Sequence, residues 1–245
     1  HILRSLTPIT QYSEYKKLQK MEEVVVHGVW RSSFNLRVLW ALTLKGVEYK
    51  YIEENFPNKT PELLRYNPVH KKIPVLVHNG QPVCESMVIV EYIDQIWPEN
   101  PLMPADPLEK ANARFWLKYL DDKGVVFGKL LFGPEKDLKT VTEEIQQIHE
   151  TLEEHLFGET KFLGGDQMGV LDVAYGPVAI WSEIFEEVVG VEKSIESGKY
   201  PRLHAWIVSI KDHPLIKKTI PDHGKLVNFF QMRRQTRRQT AVSSS

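Results

Sequence analysis

The segment from Asn67 to Ser86 constrains the fold more than any other part of this chain. Its β-prone run begins at Pro74 and reaches Asn79-Gly80, a pair suited to the positive φ angles of a tight type I′ hairpin. Glu85-Ser86 then opens an apolar periodic segment, with Ser86 expected at a helix N-cap, where backbone N–H groups attract an anion. The segment therefore predicts two antiparallel strands and a helix start suited to an anionic peptide.

The preceding residues follow the order strand, helix, strand. Val24 to Gly28 is typical of a buried strand, and a helical stripe that includes Phe34 is expected to end near Lys45-Gly46. Tyr49 to Ile52 resembles a second strand. A crossover helix makes these two strands parallel, whereas the later hairpin adds an antiparallel pair. The pattern predicts an α/β domain of thioredoxin-like order over residues 21–98.

The second half of the chain has the pattern of an all-α domain over residues 107–232. Apolar residues recur there at helical spacing. The helical segments are expected near 107–132, 137–157, 170–190 and 200–220. The proline-rich stretch 99–106 predicts a linker before them. Asp172 follows Gly169 at the spacing of a helix-start cap, which favours a structural role.

The two ends of the chain differ from both domains in composition. Residues 1–20 have no clear period, and we expect a non-native or disordered extension that precedes a natural start at Met21. Residues 233–245 begin with the paired arginines Arg233-Arg234 and Arg237-Arg238. This polar composition predicts a disordered tail.

Composition excludes several classes of function. The 245 residues carry a net charge of −1, which gives no bias toward nucleic acid, and no apolar run is long enough for a membrane helix. The single cysteine, Cys84, excludes an intrachain disulfide and is consistent with the cytosol. The nine histidines form no His-Glu-x-x-His pair, so a metal site is not expected.

Serines occupy the turn between the first strand and the first helix. The turn from Gly28 to Phe34 contains Ser32 and Ser33 but no cysteine. In an open α/β sheet, the carboxyl end of a strand is a preferred ligand site. A hydroxyl beside a helix N-terminus can donate a hydrogen bond to a substrate thiolate, whereas a cysteine would form a mixed disulfide. The turn therefore favours a thiol substrate that the protein stabilises as an anion.

Four ordered motifs carry a resemblance to a known family. They are Gly28-x-Trp30-x-Ser32-x-Phe34-x-x-Arg37-Val38, Asn58-Lys59-Thr60-Pro61, Asn67-Pro68-Val69-His70-Lys71-Lys72-Ile73-Pro74-Val75-Leu76, and Glu85-Ser86. From Met21 to about Asn228, the chain resembles the tau-class plant glutathione transferases. The resemblance implies the cytosolic glutathione transferase fold, in which a thioredoxin-like N-terminal domain precedes a helical-bundle C-terminal domain.

The resemblance also implies roles for individual residues. Ser32 matches the catalytic serine that stabilises the glutathione thiolate, and it is preferred over Ser33, which stands where the family often has proline. The backbone of Ile73, before an expected cis-proline at Pro74, pairs with the cysteinyl part of glutathione. The remaining glutathione contacts are Glu85 and Ser86 at the γ-glutamyl end, and Lys59 and Lys72 near the glycyl carboxylate.

The second substrate implied by the resemblance is a hydrophobic electrophile. An apolar pocket for it is expected to include Trp30 and Phe34, with Trp116, Tyr119 and Trp206 from the helical domain. Glutathione would be a cosubstrate, with no permanent cofactor, and the protein a homodimer that acts in detoxification and the stress response. Two alternatives stay open at this point: a glutathione-dependent peroxidase, and a ligandin-type carrier of apolar metabolites.

Overall fold

The computed structural model describes residues 23–56 and 58–242. The chain divides into two compact units between Trp97 and Pro98. The expected extension at residues 1–20 lies outside the described residues. The first unit consists of β1 (Val24–Gly28), α1 (Ser33–Lys45), β2 (Lys50–Glu53), α2 (Pro61–Tyr66), β3 (Val75–His78), β4 (Gln81–Cys84) and α3 (Ser86–Ile96).

The first unit contains the predicted mixed sheet, with strands in the order β2-β1-β3-β4. β1 and β2 are parallel, β3 is antiparallel to β1, and β4 is antiparallel to β3. Apolar side chains from the sheet and from α1 and α3 are fully buried, including those of Val26, Val38, Leu76 and Ile93. The thioredoxin-like order is confirmed.

Local sequence signals account for the turns of this unit. Gly46 ends α1 in the left-handed conformation at φ 67°, as expected from its position after Lys45. Asn79 and Gly80 have φ values of 49° and 78°, which confirms the tight hairpin. The predicted N-cap at Ser86 is wrong by one residue. The cap is Glu85 at φ 71°, because the chain leaves β4 through a left-handed residue and Ser86 already lies in α3.

A short helix, α2, was not among the predicted elements. Thr60 caps it by accepting a hydrogen bond from the backbone N–H of Leu63 at 3.1 Å, and Pro61 occupies the first helical position. The helix has only six residues, so apolar periodicity could not reveal it. The sequence Thr60-Pro61-Glu62 was nevertheless a recognisable helix start.

The second unit is helical throughout its regular elements in residues 98–242. These are α4 (Pro107–Phe132), a 3₁₀ turn (Glu135–Asp137), α5 (Leu138–His155), α6 (Val170–Val189), α7 (Pro201–Asp212) and α8 (His223–Val242). Helix α4 packs against α5 and α6. None of the described helices in either unit is long and apolar enough to span a bilayer.

Two boundary predictions for this unit are corrected. The stretch 99–106 is part of the second unit rather than a separate linker. Leu102 is buried, and its carbonyl accepts a hydrogen bond from the backbone N–H of Val170 at 2.9 Å. The tail predicted at 233–245 is helical as far as Val242, because Arg234 packs on the end of α4 and donates to the carbonyl of Leu131 at 3.4 Å.

Candidate active site

One edge of the sheet collects most of the residues singled out in the first unit. The register pairs Gly28 at the end of β1 with Glu53 at the end of β2. It also pairs Val75, the first residue of β3, with both His27 of β1 and Cys84 of β4. The segments that contain Ser32, Ile73-Pro74 and Glu85-Ser86 therefore all adjoin the same end of the sheet.

Ser32 is the N-cap of α1, immediately after β1. Its hydroxyl oxygen accepts a hydrogen bond from the backbone N–H of Asn35 at 3.3 Å. A serine hydroxyl can accept and donate at the same time, so this bond leaves the O–H proton available to a ligand. Ser32 is half-buried, and Ser33 is already the first residue of the helix. The capping geometry therefore supports the preference for Ser32.

A hydrogen-bonded network holds the turn that precedes α1. The backbone N–H of Trp30 donates to the Glu53 carboxylate at 3.1 Å, and the Tyr51 hydroxyl donates to the same carboxylate at 3.0 Å. The side-chain amide of Asn35 donates to the Tyr51 oxygen at 3.2 Å. Burial, together with the charge of Glu53, raises the pKa of Tyr51, so the hydroxyl stays protonated. The network therefore joins β2 to both sides of Ser32.

The same network explains why position 28 is glycine. A Cβ atom at this position would lie 1.9 Å from the side-chain oxygen of Asn35, which is buried without a hydrogen-bond partner. Only glycine allows the Asn35 amide to lie this close to the backbone of β1. The first residue of the turn motif thus makes room for the asparagine that bonds to Tyr51.

Sequence reasoning did not identify Tyr51 and Glu53. The two residues are two apart on β2, which puts their side chains on the same face of the strand. That spacing was a weak signal. Their common partner, the Trp30 N–H, depends on a strand register that one sequence does not reveal.

The segment from Asn67 to Pro74 places several basic groups near the start of β3. The Ile73–Pro74 peptide bond is cis, as the resemblance implies. The Lys59 ammonium donates to the carbonyl of Lys71 at 2.7 Å, and the Asn67 side-chain amide donates to the carbonyl of Lys72 at 3.0 Å. These contacts bring Lys59 beside the Lys71-Lys72 pair, which is exposed.

Glu54 anchors the loop that contains Lys59. Its buried carboxylate accepts hydrogen bonds from the Thr60 backbone N–H at 3.0 Å and from the Thr60 hydroxyl at 2.7 Å, and it lies 2.8 Å from the His27 ring nitrogen. Burial by itself would raise the pKa of Glu54, but the bonds from Thr60 and His27 outweigh it and lower the pKa. Sequence reasoning missed this residue as well.

The start of α3 combines a buried hydroxyl with an exposed carboxylate. Ser86 is 8 % exposed, and its oxygen accepts a hydrogen bond from the guanidinium of Arg37 at 3.3 Å. The Glu85 carboxylate is exposed and lies 3.9 Å from the His70 ring nitrogen. The first backbone N–H groups of a helix have no intrahelical partner and favour anions. The helix start and the Ser86 hydroxyl, which the buried Arg37 holds in place, can therefore bind a carboxylate, while Glu85 can bind an ammonium group.

The aromatic residues proposed for the second substrate fall into different environments. In the first unit, Trp30 is half-buried, whereas Phe34 is 47 % exposed and lies under the Arg37 guanidinium. In the second unit, Trp116 lines a cavity of about 730 Å³. Tyr119 is half-buried, and its ring packs edge-on against that of Trp116, with the ring centroids 5.5 Å apart.

The prediction that Trp206 lines the apolar pocket is wrong. Trp206 is 2 % exposed, and its ring stacks on that of Tyr175 with centroids 5.2 Å apart. Its indole N–H donates to the buried carboxylate of Asp172 at 2.6 Å. The ring face therefore packs on Tyr175 and the indole N–H bonds to Asp172, both inside the helical unit.

Cys84 does not have the properties of a reactive thiol. Burial and the charge of Glu85 raise its pKa, and its sulfur lies 3.7 Å from the carbonyl of Tyr66. Reactive cysteines have a lowered pKa. Among residues 23–56 and 58–242, no group of three or more histidine, cysteine, aspartate or glutamate side chains could hold a metal ion.

Comparison with known families agrees with this geometry. Residues 22–95 match the family described as glutathione S-transferase, N-terminal domain, and residues 135–208 match glutathione S-transferase, C-terminal domain. A probable glutathione S-transferase from Glycine max is 44 % identical over 214 residues, which cover 86 % of this chain and 94 % of that protein. Glutathione S-transferase U7 from Arabidopsis thaliana is 42 % identical, with 86 % and 93 % covered.

Solved structures give the same result. The tau class glutathione S-transferase from mango, Mangifera indica, has a TM-score of 0.77 at 37 % identity, with 86 % of this chain and 98 % of that chain covered. Rice GST1, solved in complex with glutathione, has a TM-score of 0.79 at 34 % identity, with 88 % and 97 % covered. These matches favour a transferase over the peroxidase and carrier alternatives. The chain belongs to the glutathione S-transferase family, and within it to the tau class of plant enzymes.

Proposed function

We propose that this transferase activates glutathione at Ser32 and conjugates the thiolate to hydrophobic electrophiles. The observation that carries this proposal is the N-cap geometry of Ser32. Its oxygen accepts the Asn35 N–H, so its O–H proton can be donated to a sulfur atom near the start of α1. The positive end of the α1 dipole favours an anion at the same place.

Stabilisation of the thiolate is sufficient for this chemistry. The reacting species is the thiolate, and each unit by which the pKa of a thiol is lowered favours the anion by about 1.4 kcal/mol. Ser32 need not remove the proton itself. The thiolate attacks the electrophilic carbon, a carbon–sulfur bond forms, and the leaving group departs with the electron pair of the broken bond.

Glutathione would lie along the edge of the sheet where these segments adjoin. The backbone of Ile73 before Pro74 would pair with its cysteinyl residue in strand fashion. Glu85 would bind the ammonium group of the γ-glutamyl end, and Ser86 with the start of α3 would bind its carboxylate. The remaining carboxylate, on the glycyl residue, would lie near Lys59 and Lys72. The local excess of basic side chains in the Lys59 and Lys71-Lys72 region supports this orientation.

The second substrate is an apolar electrophile. Trp30 and Phe34 follow β1 on either side of Ser32, so their rings would adjoin the reacting sulfur. The exposure of Phe34 supports a role in contact with a ligand, since aromatic side chains usually bury their apolar surface. Trp116 and Tyr119 remain proposed contributors from the helical unit.

The proposal extends to the assembly and the compartment of the protein, with support from the family and the composition. The protein forms a homodimer, for which light scattering should give twice the 28.4 kDa mass of one chain. Val69 is 81 % exposed and provides apolar surface that a second copy could cover. The protein acts in the cytosol, where a lone cysteine stays reduced.

Substitution at Ser32 tests the proposed chemistry. We expect Ser32→Ala to lower kcat/KM for conjugation of a chromogenic aryl halide by about 100-fold, because the thiolate loses its hydrogen-bond donor. Titration calorimetry should show that glutathione still binds, because its other contacts remain. Ser33→Ala is the matched control, and we expect it to retain conjugation. A greater loss from Ser33→Ala than from Ser32→Ala would show that Ser33, not Ser32, stabilises the thiolate.

A second variant separates the chemistry from helix stability. Ser32→Asp retains an oxygen that caps α1 but has no O–H donor when ionised. Because its carboxylate would also repel the thiolate, Ser32→Asp should lose conjugation with α1 still capped, and lost conjugation with unchanged circular dichroism in both variants would exclude a weakened helix as the cause. Full activity in Ser32→Ala would contradict the proposed function.

A further inference from the structure

The turn that contains Ser32 is held only in part by local hydrogen bonds, from the Ser32 N–H to the Val29 carbonyl at 3.0 Å and from the Asn35 N–H to the Ser32 oxygen at 3.3 Å. Position 33 is serine, so the turn has no proline ring to fix the backbone after Ser32. Two residues of β2 instead hold the chain on both sides of Ser32. Glu53 accepts the N–H of Trp30 at 3.1 Å, and Tyr51 accepts the side-chain amide of Asn35 at 3.2 Å.

The direction of each hydrogen bond in this network is determined by Glu53. An ionised carboxylate only accepts, so the Tyr51 hydroxyl must donate its proton to Glu53. The Tyr51 oxygen then accepts from Asn35, which fixes the orientation of the asparagine amide. The backbone N–H of the same asparagine donates to the oxygen of Ser32. One residue, Asn35, therefore connects Tyr51 to the hydroxyl proposed to stabilise the thiolate.

We infer that Tyr51 is a positioning residue for Ser32, acting through Asn35 and through the Glu53 carboxylate that holds Trp30. This inference rests on the function proposed for Ser32. Tyr51 makes no contact with the reacting atoms itself. Its hydroxyl fixes the turn, so that the Ser32 O–H proton points in a constant direction and the hydrogen bond to the sulfur keeps its length.

Removal of one oxygen atom tests this role. Tyr51→Phe keeps the aromatic ring and removes both hydrogen bonds of the hydroxyl. We expect kcat for conjugation to fall about 10-fold, within the roughly 100-fold that a misplacement of 1 Å can cost. The KM for glutathione should change little, because Tyr51 is not among the binding groups. The acid limb of the pH dependence of kcat should move upward by about one unit, since the bound thiol becomes a weaker acid.

Tyr49→Phe is the matched control. Tyr49 lies two residues before Tyr51, and the hydrogen bonds of this network are made by Trp30, Asn35, Tyr51 and Glu53 without it. We expect this variant to keep the kcat and the pH profile of the unmodified enzyme. An equal fall in kcat for both variants would mean that loss of any hydroxyl near β2 is harmful, and it would overturn the specific role of Tyr51.

A double-mutant cycle separates this inference from the proposed function. If Tyr51 acts through Ser32, Tyr51→Phe should cost nothing further in a chain that already carries Ser32→Ala. A persistent 10-fold loss in that background would overturn the positioning role while leaving the role of Ser32 intact. An active Ser32→Ala single variant would instead contradict the proposed function. An unshifted acid limb in Tyr51→Phe, despite a lower kcat, would also overturn the inference.

Discussion

The buried carboxylate of Asp172 accepts four hydrogen bonds, and its removal is expected to lower the stability of the helical unit strongly. It lies at the third position of α6 and is completely buried. Four donors point at it: the indole N–H of Trp206 at 2.6 Å and three backbone N–H groups at 2.7, 2.9 and 3.0 Å. The backbone donors are, in the order of these distances, Gly169, Leu163 and Gly164. Burial raises the pKa of Asp172, and these donors oppose the shift.

We expect Asp172→Ala to lower the free energy of unfolding by about 4 kcal/mol. A hydrogen bond to a charged group contributes about 1.5–3 kcal/mol net, but desolvation of the carboxylate offsets part of the sum of four. Removal of one partner from a buried ionic site typically costs about 3–5 kcal/mol. This loss is a large part of the total stability of about 5–15 kcal/mol that proteins have.

Urea unfolding followed by circular dichroism measures the effect. With a slope of about 2 kcal/mol per M, the midpoint of the helical transition should fall by about 2 M. Asp172→Asn should cost at least half as much, because its NH₂ group would face N–H donors instead of accepting from them. Asp166→Asn, at an exposed position in the same loop, is the control and should change stability by less than about 0.5 kcal/mol. Equal stabilities of Asp172→Ala and Asp166→Asn would refute this account of the cap.

Two further substitutions test residues that border the proposed glutathione site. Burial raises the pKa of Glu54, but hydrogen bonds lower it further, so the folded pKa lies below the unfolded value of about 4.3. The stabilising contribution of Glu54 is therefore fully present above that unfolded value and disappears as the pH falls through the folded pKa. Glu54→Gln should therefore cost about 1–3 kcal/mol at pH 7 and less below about pH 4, as measured by urea unfolding; a cost independent of pH would contradict this. Gly28→Ala should lower thermal stability by about 1–3 kcal/mol, because its Cβ would displace the Asn35 amide, and an unchanged melting temperature would show that the amide can move freely.

Elements with local signals were predictable from the sequence. The Asn79-Gly80 pair identified the hairpin, and Gly46 identified the end of α1, because positive φ angles select these residue types. Asp172 was also identified as a structural cap, since its partner at Gly169 lies only three residues away. In each case, the residues that make the structure are neighbours in the chain.

Features that depend on distant partners were predicted incorrectly. The aromatic ring of Trp206 could have faced a ligand or the core, and its helical spacing does not distinguish these environments. The buried position of the ring depends on the hydrogen bond from its indole N–H to Asp172, which precedes Trp206 by 34 residues. The tail around Arg234 has a polar composition, yet the side chain is only 10 % exposed because it packs against α4, more than a hundred residues earlier.

The turn around Ser32 shows how local and distant constraints can replace one another. From the sequence, serine at position 33 in place of proline suggests a looser turn, because the backbone after Ser32 loses its ring constraint. The register that pairs Gly28 with Glu53 supplies a different constraint, since it brings a carboxylate within hydrogen-bond distance of the Trp30 N–H. A proline at position 33 would stiffen the chain in both folded and unfolded states, whereas this carboxylate acts only once the sheet has formed. The order of the Ser32 turn should therefore depend on β2, and hydrogen exchange of the Trp30 N–H should be as slow as that of the adjacent sheet.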